Sequence, residues 1–490
     1  MKIDFIFTKQ FLFAFVILVA FVIFFHRLSE APLSGDGIGY GQIAKEMSIS
    51  GDYSTPKHDG VPNFYTSKPP LLFWMSALSG NIFGFNNFSV KFPVAVLAFL
   101  SIIAMFLFVS KYYDFNTAFF SCIILIFTHQ YMVYGRNCVT DGPFAFFSMI
   151  ALMSFWIANT ENKAVYYYLM ATFIGLSIMT KQVFGLFNYF IIFGYIFLAK
   201  DFKTLKNIHF YLSFLIVPVI VLPWHIAMYN KYGKFFLNQY LSSTFFNIQG
   251  YAGHAEDAVS QYLKTASIYE RLLHEWYAYL QKIVENYWPW LPFLVYGIYK
   301  KFKNIKIIYV KNKKDIFILA WIFIPLIILQ TATRKNANYL IFLYPAFALI
   351  CAEVFNGFAQ KTIKKNIVIF ISATALLCMA FISFPIVPSY IDRHKLSDPV
   401  KIMPVVKNIA VNEKIIIREF DNYAFSSMFL FYADKGNTTL NDENFEKELV
   451  GGGGKYFFSS KDNIMAGLLK KHNGKIKILA ETEDVVLLKN

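Results

Sequence analysis

The stretch SVKFPVAVLAFLSIIAMFLFVS (89–110) decides the fold class. Apart from Lys91 near its start it is uncharged, and about 20 mainly apolar residues in helical form cross the hydrocarbon core of a bilayer. In lipid the backbone must satisfy its own hydrogen bonds, so a helix is the form such a segment takes. Working outward, ten more segments read the same way: 10–26, 115–134, 140–159, 165–180, 183–199, 208–229, 286–300, 315–331, 337–356 and 366–388. The expected fold is an α-helical polytopic membrane protein with about 11, at most about 13, transmembrane helices. The first segment follows Lys2 and Lys9 without a clear small-residue cleavage site, and it reads as an uncleaved anchor rather than a signal peptide.

Composition agrees. The chain of 490 residues is 56% hydrophobic and 19% aromatic, and its 16% charged residues fall well below the roughly 25% of an average soluble protein. Its mean hydropathy is +0.44. Disorder, collagen-like repeats and an ordinary soluble enzyme are excluded. The net charge of +15 would suit a nucleic-acid partner, but in a membrane protein it reads as a basic cytoplasmic face, so no nucleic acid is expected. Lys and Arg are several-fold denser in one set of short loops, KDFKTLKN (200–207), KKFKNIKIIYVKNKK (300–314) and QKTIKK (360–365), than in the other set. That asymmetry puts the N-terminus inside. It leaves two long outer loops, 27–88 and 230–285. Cys122, Cys138, Cys351 and Cys378 lie in or beside apolar stretches with no CxxC spacing, so neither a disulfide framework nor a zinc site follows.

After residue 390 the hydropathy drops. KIIIREF (414–420), KYFFSS (455–460), KIKILAE (475–481) and DVVLLKN (484–490) read as strands separated by polar, helix-compatible stretches. The expected organisation is a transmembrane domain over 1–390, with interfacial helices, and a small soluble α/β domain on the periplasmic side over 391–490. Gly451–Gly454 lacks the Lys-Ser/Thr of a phosphate loop and reads as a turn before a strand.

The ionisable residues avoid the middles of the spans and collect where helices meet the outer loops. A charge-relay path through the bilayer would need them at the midplane. In SGDGIGYGQIAKEM (34–47), Asp36 opens a short amphipathic helix (Ile38, Ile43, Ala44, Met47) and serves either as a base or ligand, or as that helix's N-cap. In DGVPNFYTSKPPLLFW (59–74), Lys68 precedes two prolines at headgroup level. There it binds a lipid phosphate or snorkels. In YGRNCVTDGPF (134–144), Arg136 and Asp141 either form a turn-fixing ion pair or belong to a site. MTKQ (179–182) places Lys181 in a turn too short for a solvated loop. TATRKNANY (331–339) places Arg334 and Lys335 outside, against the positive-inside rule, where a buried anion or a plain exposed loop accounts for them. Two acids and four or more cations at one interface suit transfer of a group from a lipid phosphate carrier.

At this point the chain resembles a known family. The Asp-containing helix after the first span, then GDYSTP (51–56), then the Lys-Pro-Pro stretch, resembles the integral-membrane glycosyltransferases of the C superfamily. The nearest branches are the lipid A aminoarabinose transferases and the bacterial protein O-mannosyltransferase-like enzymes. The likeness continues through NNFSVKFPVAVLA (86–98), GLSIMTKQVFG (175–185), LPWHIAMYNKYGKFFL (222–237), NYWPWLPF (286–293) and the TRKNANY motif, over about residues 10–355.

The resemblance implies an inverting transfer of a sugar from undecaprenyl phosphate or a similar polyprenyl phosphate. It places the reaction on the periplasmic face, with lipid A or a related envelope glycolipid as acceptor. Protein O-glycosylation is the alternative acceptor class, and a lipid-linked sugar flippase is the rival of another class. By position, Asp36 and Asp141 match the two family acids. Lys68, Arg136, Lys181, Lys335 and Tyr339 match or flank the positions expected near the carrier phosphate. The family Glu before Lys-Pro-Pro, which can ligate a divalent metal, is Ser67 here, so a metal built on that position is not expected. His274 (HEWY, 274–277) and His254 (HAED, 254–257) remain as metal candidates beside ordinary surface roles.

Overall fold

The computed structural model describes residues 8–33, 35–64, 68–249, 275–307, 313–332, 335–359, 363–383, 400–409, 413, 415–418, 427–434, 437–461, 465, 468–470, 472, 476–482 and 485–490. The first helix among the described residues is α1 (Lys9–Phe25), whose first turn is closed by the Thr8 hydroxyl accepting from the Phe11 amide at 3.2 Å. The first long loop is well structured. It holds α2 (Asp36–Ser50), a short antiparallel hairpin (β1 Lys57–His58, β2 Val61–Pro62) and a second apolar helix, α3 (Leu71–Phe83). Asp52 of GDYSTP ties this loop together. Its carboxylate accepts from the Ser54 and Thr55 amides and pairs with Lys57 at 3.0 Å and Lys231 at 2.9 Å. Desolvation pushes this carboxyl up, but hydrogen bonds from Ser54, Lys231 and Lys57 outweigh it and hold it well below the ordinary range.

Helices then follow one another through the apolar body. They are α4 (Asn87–Tyr112), α5 (Phe115–Ile126), α6 (His129–Tyr134), α7 (Asp141–Glu161), α8 (Val165–Lys181) and, after a 3₁₀ turn over Gln182–Leu186, α9 (Phe187–Leu198). Next come α10 (Ile208–Ser213), α11 (Ile216–Gln249), α12 (Ala278–Asn286), α13 (Leu291–Ile307) and α14 (Lys313–Gln330). A 3₁₀ segment, Ala337–Leu343, leads into α15 (Tyr344–Ala359), and α16 (Ile363–Ser383) follows. Within the described residues each of the eleven apolar segments overlaps helix, although Tyr287–Trp290 of 286–300 lie between α12 and α13, and 384–388 lie outside the described residues. Among the described residues, five stretches are long and apolar enough to cross a membrane: Asn87–Tyr112, Asp141–Glu161, Val165–Leu198, Ile208–Leu241 and Ala337–Phe358.

Two segments differ from their expected form. Residues 115–134 break into α5 and α6 at Thr128, whose hydroxyl bonds back to the Ile124 carbonyl at 2.8 Å. In α11 the helix breaks at Gly233 (φ 55°) and doubles back, so that Trp224 and Phe236 lie 5.6 Å apart between ring centroids.

At the Lys-rich end Lys301 pairs with Asp315 at 2.5 Å and Glu353 at 2.6 Å, Lys313 pairs with Asp201 at 2.7 Å, and Asn356 donates to Asp114 at 3.0 Å. The four cysteines are buried and free.

The C-terminal residues form a five-stranded sheet of β3 (Ile415–Arg418), β4 (Asn437–Leu440), β5 (Tyr456–Ser460), β6 (Lys477–Glu481) and β7 (Val485–Lys489), in the order β4-β3-β5-β7-β6. β3 runs parallel to β4 and β5, and the other pairs are antiparallel. Within the described residues each of the four strand-like runs carries a strand, and Gly451–Gly454 is the turn before β5. β4 is the strand that the sequence hid, because its residues NTTL carry little apolar signal. Successive residues alternate between faces. Ile416, Phe457, Val486 and Leu488 meet Phe445 and Leu449 of a helix over Asp442–Val450. Ile415, Ile417, Phe458, Val485 and Leu487 join a second core that includes Ile38, Ile43 and Met47 of α2 and Leu72, Phe73 and Ala77 of α3. The sheet is therefore covered on both faces, and one cover is the first loop of the chain.

That packing corrects the expectation for α2. Ile38, Ile43, Ala44 and Met47 are buried, but so are Gly37, Gly39, Tyr40, Gly41 and Gln42. α2 is a packed helix between the C-terminal sheet, α3 and the turn before α7, rather than an amphipathic helix with one face in lipid.

Candidate active site

α7 and α8 are antiparallel neighbours, so the start of one and the end of the other lie at the same end of the bundle, opposite the Lys-rich loops. That brings Asp141, the first residue of α7, against Lys181, the last residue of α8. The ammonium of Lys181 donates to the Asp141 carboxylate, and both side chains are buried. Asn338 donates to the same carboxylate oxygen at 2.9 Å. Three rings enclose the ammonium, with centroids at 5.7 Å (Phe144), 5.1 Å (Phe184) and 5.0 Å (Tyr339).

Asp36 reaches the same place from α2. Gly35 (φ 53°) precedes the helix and makes no side-chain cap, so Asp36 is the first helical residue rather than its N-cap. Lys68 enters from the stretch before α3. A cavity of about 120 Å³ is lined by Asp36, Tyr40, Lys68, Thr140, Asp141, Lys181, Gln182, Phe184, Asn336, Asn338 and Tyr339. Its charged groups are two carboxylates and two ammonium groups, drawn from four separate segments of the chain.

The enclosure perturbs these charges. Asp36 is open to the cavity but surrounded by protein, and desolvation raises its carboxyl above the ordinary 3.8. Lys68 opposes that rise, the negative charge of Asp141 adds to it, and Lys181 and a hydrogen bond from Tyr40 oppose it further. Desolvation likewise lowers the Lys68 ammonium from its usual value, with Asp36 pulling the other way. Each group is thus poised to gain from an added partner of opposite charge.

The remaining residues singled out from the sequence lie elsewhere. Arg136 does not line the cavity and does not pair with Asp141. Its guanidinium donates to the backbone carbonyls of Ile23 and, at 2.9 Å, His26, and it lies 5.2 Å from the Phe381 ring centroid. It fastens the end of α1 to the turn before α7 and to α16. Lys335 is buried beside the cavity wall, and its ammonium donates to the Ala332 carbonyl at 2.9 Å. Burial lowers it, with Glu275 opposing. Ser67, Arg334, His254 and His274 lie outside the described residues. Among the described residues no group of three or more His, Cys, Asp or Glu could hold a metal. The two cavity carboxylates share their space with two ammonium groups, a donor set that does not fit a divalent cation.

Sequence reasoning missed Tyr40, Thr140, Gln182, Phe184, Asn336 and Asn338. Asn338 was within reach, since it precedes Tyr339 in the motif already singled out. A neutral amide carries no signal of its own until its partner is known.

The family model described as dolichyl-phosphate-mannose-protein mannosyltransferase matches residues 67–226. A protein of Aquifex aeolicus (strain VF5) is 24% identical over 390 residues, covering 77% of this chain and 72% of its own length. An undecaprenyl phosphate-alpha-4-amino-4-deoxy-L-arabinose arabinosyl transferase of Edwardsiella ictaluri is 24% identical over 365 residues, which is 72% of this chain but only 60% of that relative. Among solved structures, ArnT from Cupriavidus metallidurans bound to undecaprenyl phosphate superposes with a TM-score of 0.74 at 14% identity, over 97% of both chains. At that identity the likeness is one of fold. The named relatives by sequence and by fold are glycosyltransferases, and the chain is a multi-pass membrane protein that resembles the integral-membrane glycosyltransferases of the C superfamily.

Proposed function

We propose that the protein transfers a sugar from undecaprenyl phosphate, or a similar polyprenyl phosphate, to lipid A or a related envelope glycolipid on the periplasmic face of a bacterial inner membrane. The observation that carries this reading is the convergence of Asp36, Asp141, Lys68 and Lys181 on one cavity, at the end of the bundle opposite the Lys-rich loops. In the reaction, an acceptor oxygen attacks the anomeric carbon as the bond from that carbon to the carrier phosphate breaks, which inverts the centre. If the acceptor is a hydroxyl, its proton passes to the Asp36 carboxylate. The leaving phosphate takes up negative charge beside Lys68, whose lowered ammonium is restored by an anionic neighbour. Lys181, fixed by Asp141 and three rings, adds a second positive charge that needs no reorganisation.

Mass spectrometry of lipid A from cells with and without the gene tests the acceptor. A sugar mass lost on deletion, restored by wild type and not by Asp36→Asn, is the expected result. The match of residues 67–226 to a protein mannosyltransferase family supports a second reading, in which a protein hydroxyl is the acceptor. An unchanged lipid A profile with a lost glycoprotein band would select it. A flippase would need a continuous polar path through the spans, and the ionisable residues singled out from the sequence lie at their ends.

A further inference from the structure

α2 is an unusual carrier for a catalytic residue. Gly37, Gly39 and Gly41 occupy its first two turns, and glycine is a poor helix former. The conformation and place of Asp36 therefore depend on what packs around it. A Cβ at Gly37 would lie 3.4 Å from the Cys138 carbonyl oxygen, so one side of α2 rests on the turn that leads to Asp141. The opposite support comes from the C-terminal region. There a turn of π-helix, Phe429–Ala433, reaches α2 across almost the whole length of the chain.

The contacts of this turn are polar and specific. Lys45 of α2 is buried and donates to the carbonyls of Leu430 at 3.1 Å and Phe431 at 2.6 Å. It also pairs with Asp434 at 2.6 Å. The Tyr432 hydroxyl accepts from the Leu33 amide at 2.8 Å, three residues before Asp36, and donates to Asn87 at the head of α4 at 2.5 Å. His58 of the hairpin meets Ser427 at 2.9 Å. The Phe431 ring approaches α2 at Gly41, where a Cβ would come within 3.4 Å of it.

We propose that the turn Phe429–Ala433 is a positioning element for Asp36, with Lys45 and Tyr432 as the positioning residues that set the carboxylate at the cavity. The inference rests on the reading of Asp36 as the group that acts on the acceptor. Neither Lys45 nor Tyr432 lines the cavity, so neither touches the reacting atoms.

The test uses the purified full-length chain, with undecaprenyl-phosphate-linked 4-amino-4-deoxy-arabinose as donor probe and lipid A as acceptor. Lys45→Met and Tyr432→Phe are expected to lower kcat by about tenfold or more while KM for the donor stays within about twofold, since a misplacement of about 1 Å can cost far more than that. Lys45→Arg should recover most of the loss, and the loss should persist at temperatures well below the thermal midpoint of each variant. A second readout does not depend on turnover. In an Asp36→Cys background, the rate at which a small maleimide alkylates the introduced thiol should change severalfold when Lys45→Met is added, because the native cysteines are buried. Wild-type kcat in both variants together with an unchanged alkylation rate overturns the proposal. Should the wild-type protein turn over none of this donor, the sugar or the proposed function is wrong and the alkylation rate alone decides the positioning role: a severalfold change supports it, and no change overturns it.

Discussion

At the scale of single residues, the cavity holds its charges in tension. Asp36 has to be ionised to accept a proton, so activity should fall as pH drops through its raised pKa, and the acid limb of kcat/KM should lie above 3.8. Tyr40 stabilises the ionised form by donating to it. Tyr40→Phe should therefore move the limb further up in pH, and a pH–rate profile that moved down would contradict this assignment of charges. The Asp141–Lys181 pair makes a different demand. Its side chains are 8% and 6% exposed, so Lys181→Met would strand a buried carboxylate that, among the described residues, keeps Asn338 as its hydrogen-bond partner. A loss of about 3–5 kcal/mol is expected from breaking such a pair. Asp141→Asn combined with Lys181→Met should recover much of it in a thermal melt, with transfer still abolished.

At the scale of elements, close approach fixes where the turns that carry the cavity acids sit. A Cβ at Gly135 would stand 2.7 Å from Phe24 Cε1, 2.9 Å from the Ala98 Cβ and 2.9 Å from the Tyr131 carbonyl oxygen. The last of these is backbone and cannot step aside. Gly135 thus lets α1 and α4 close over the turn that leads to Asp141, next to Arg136, which ties the same turn to the end of α1. Gly135→Ala should lower stability by about 1–3 kcal/mol, measured by thermal denaturation in detergent, through overpacking. Arg136 shows how sequence proximity misleads at this scale. It lies five residues from Asp141 and has the right charge, yet the guanidinium reaches α1 while the carboxylate finds a lysine at the far end of the next helix.

At the scale of the whole molecule, the charge asymmetry of the loops leads to a test of topology. Lys303→Cys at the Lys-rich end should label with a membrane-impermeant maleimide only after the membrane is opened, whereas Glu443→Cys in the C-terminal region should label in intact spheroplasts. Both positions are exposed and the native cysteines are buried, so background is low. The reverse pattern would place the cavity on the cytoplasmic side and contradict the proposed function. The C-terminal sheet bears on the same question, because it shares one core with α2 and α3. It must lie on the side of the membrane where the cavity opens.

The sequence by itself determined the helical, membrane-embedded class, because lipid forces each crossing segment to close its own backbone hydrogen bonds within a continuous apolar run. It also marked Asp36, Lys68, Asp141 and Lys181, since ionisable residues gathered at one set of helix ends are conspicuous where burying charge is costly. The strands 415–418, 456–460, 477–481 and 485–489 were legible from their apolar runs. Only the tertiary structure decided that Asp141 pairs with Lys181 rather than Arg136, that Asn338 joins them, and that a turn near residue 431 holds the helix of Asp36. Those contacts join residues 40 to about 400 positions apart, and a hydrogen bond depends on distances of about 3 Å that no local pattern of polarity records.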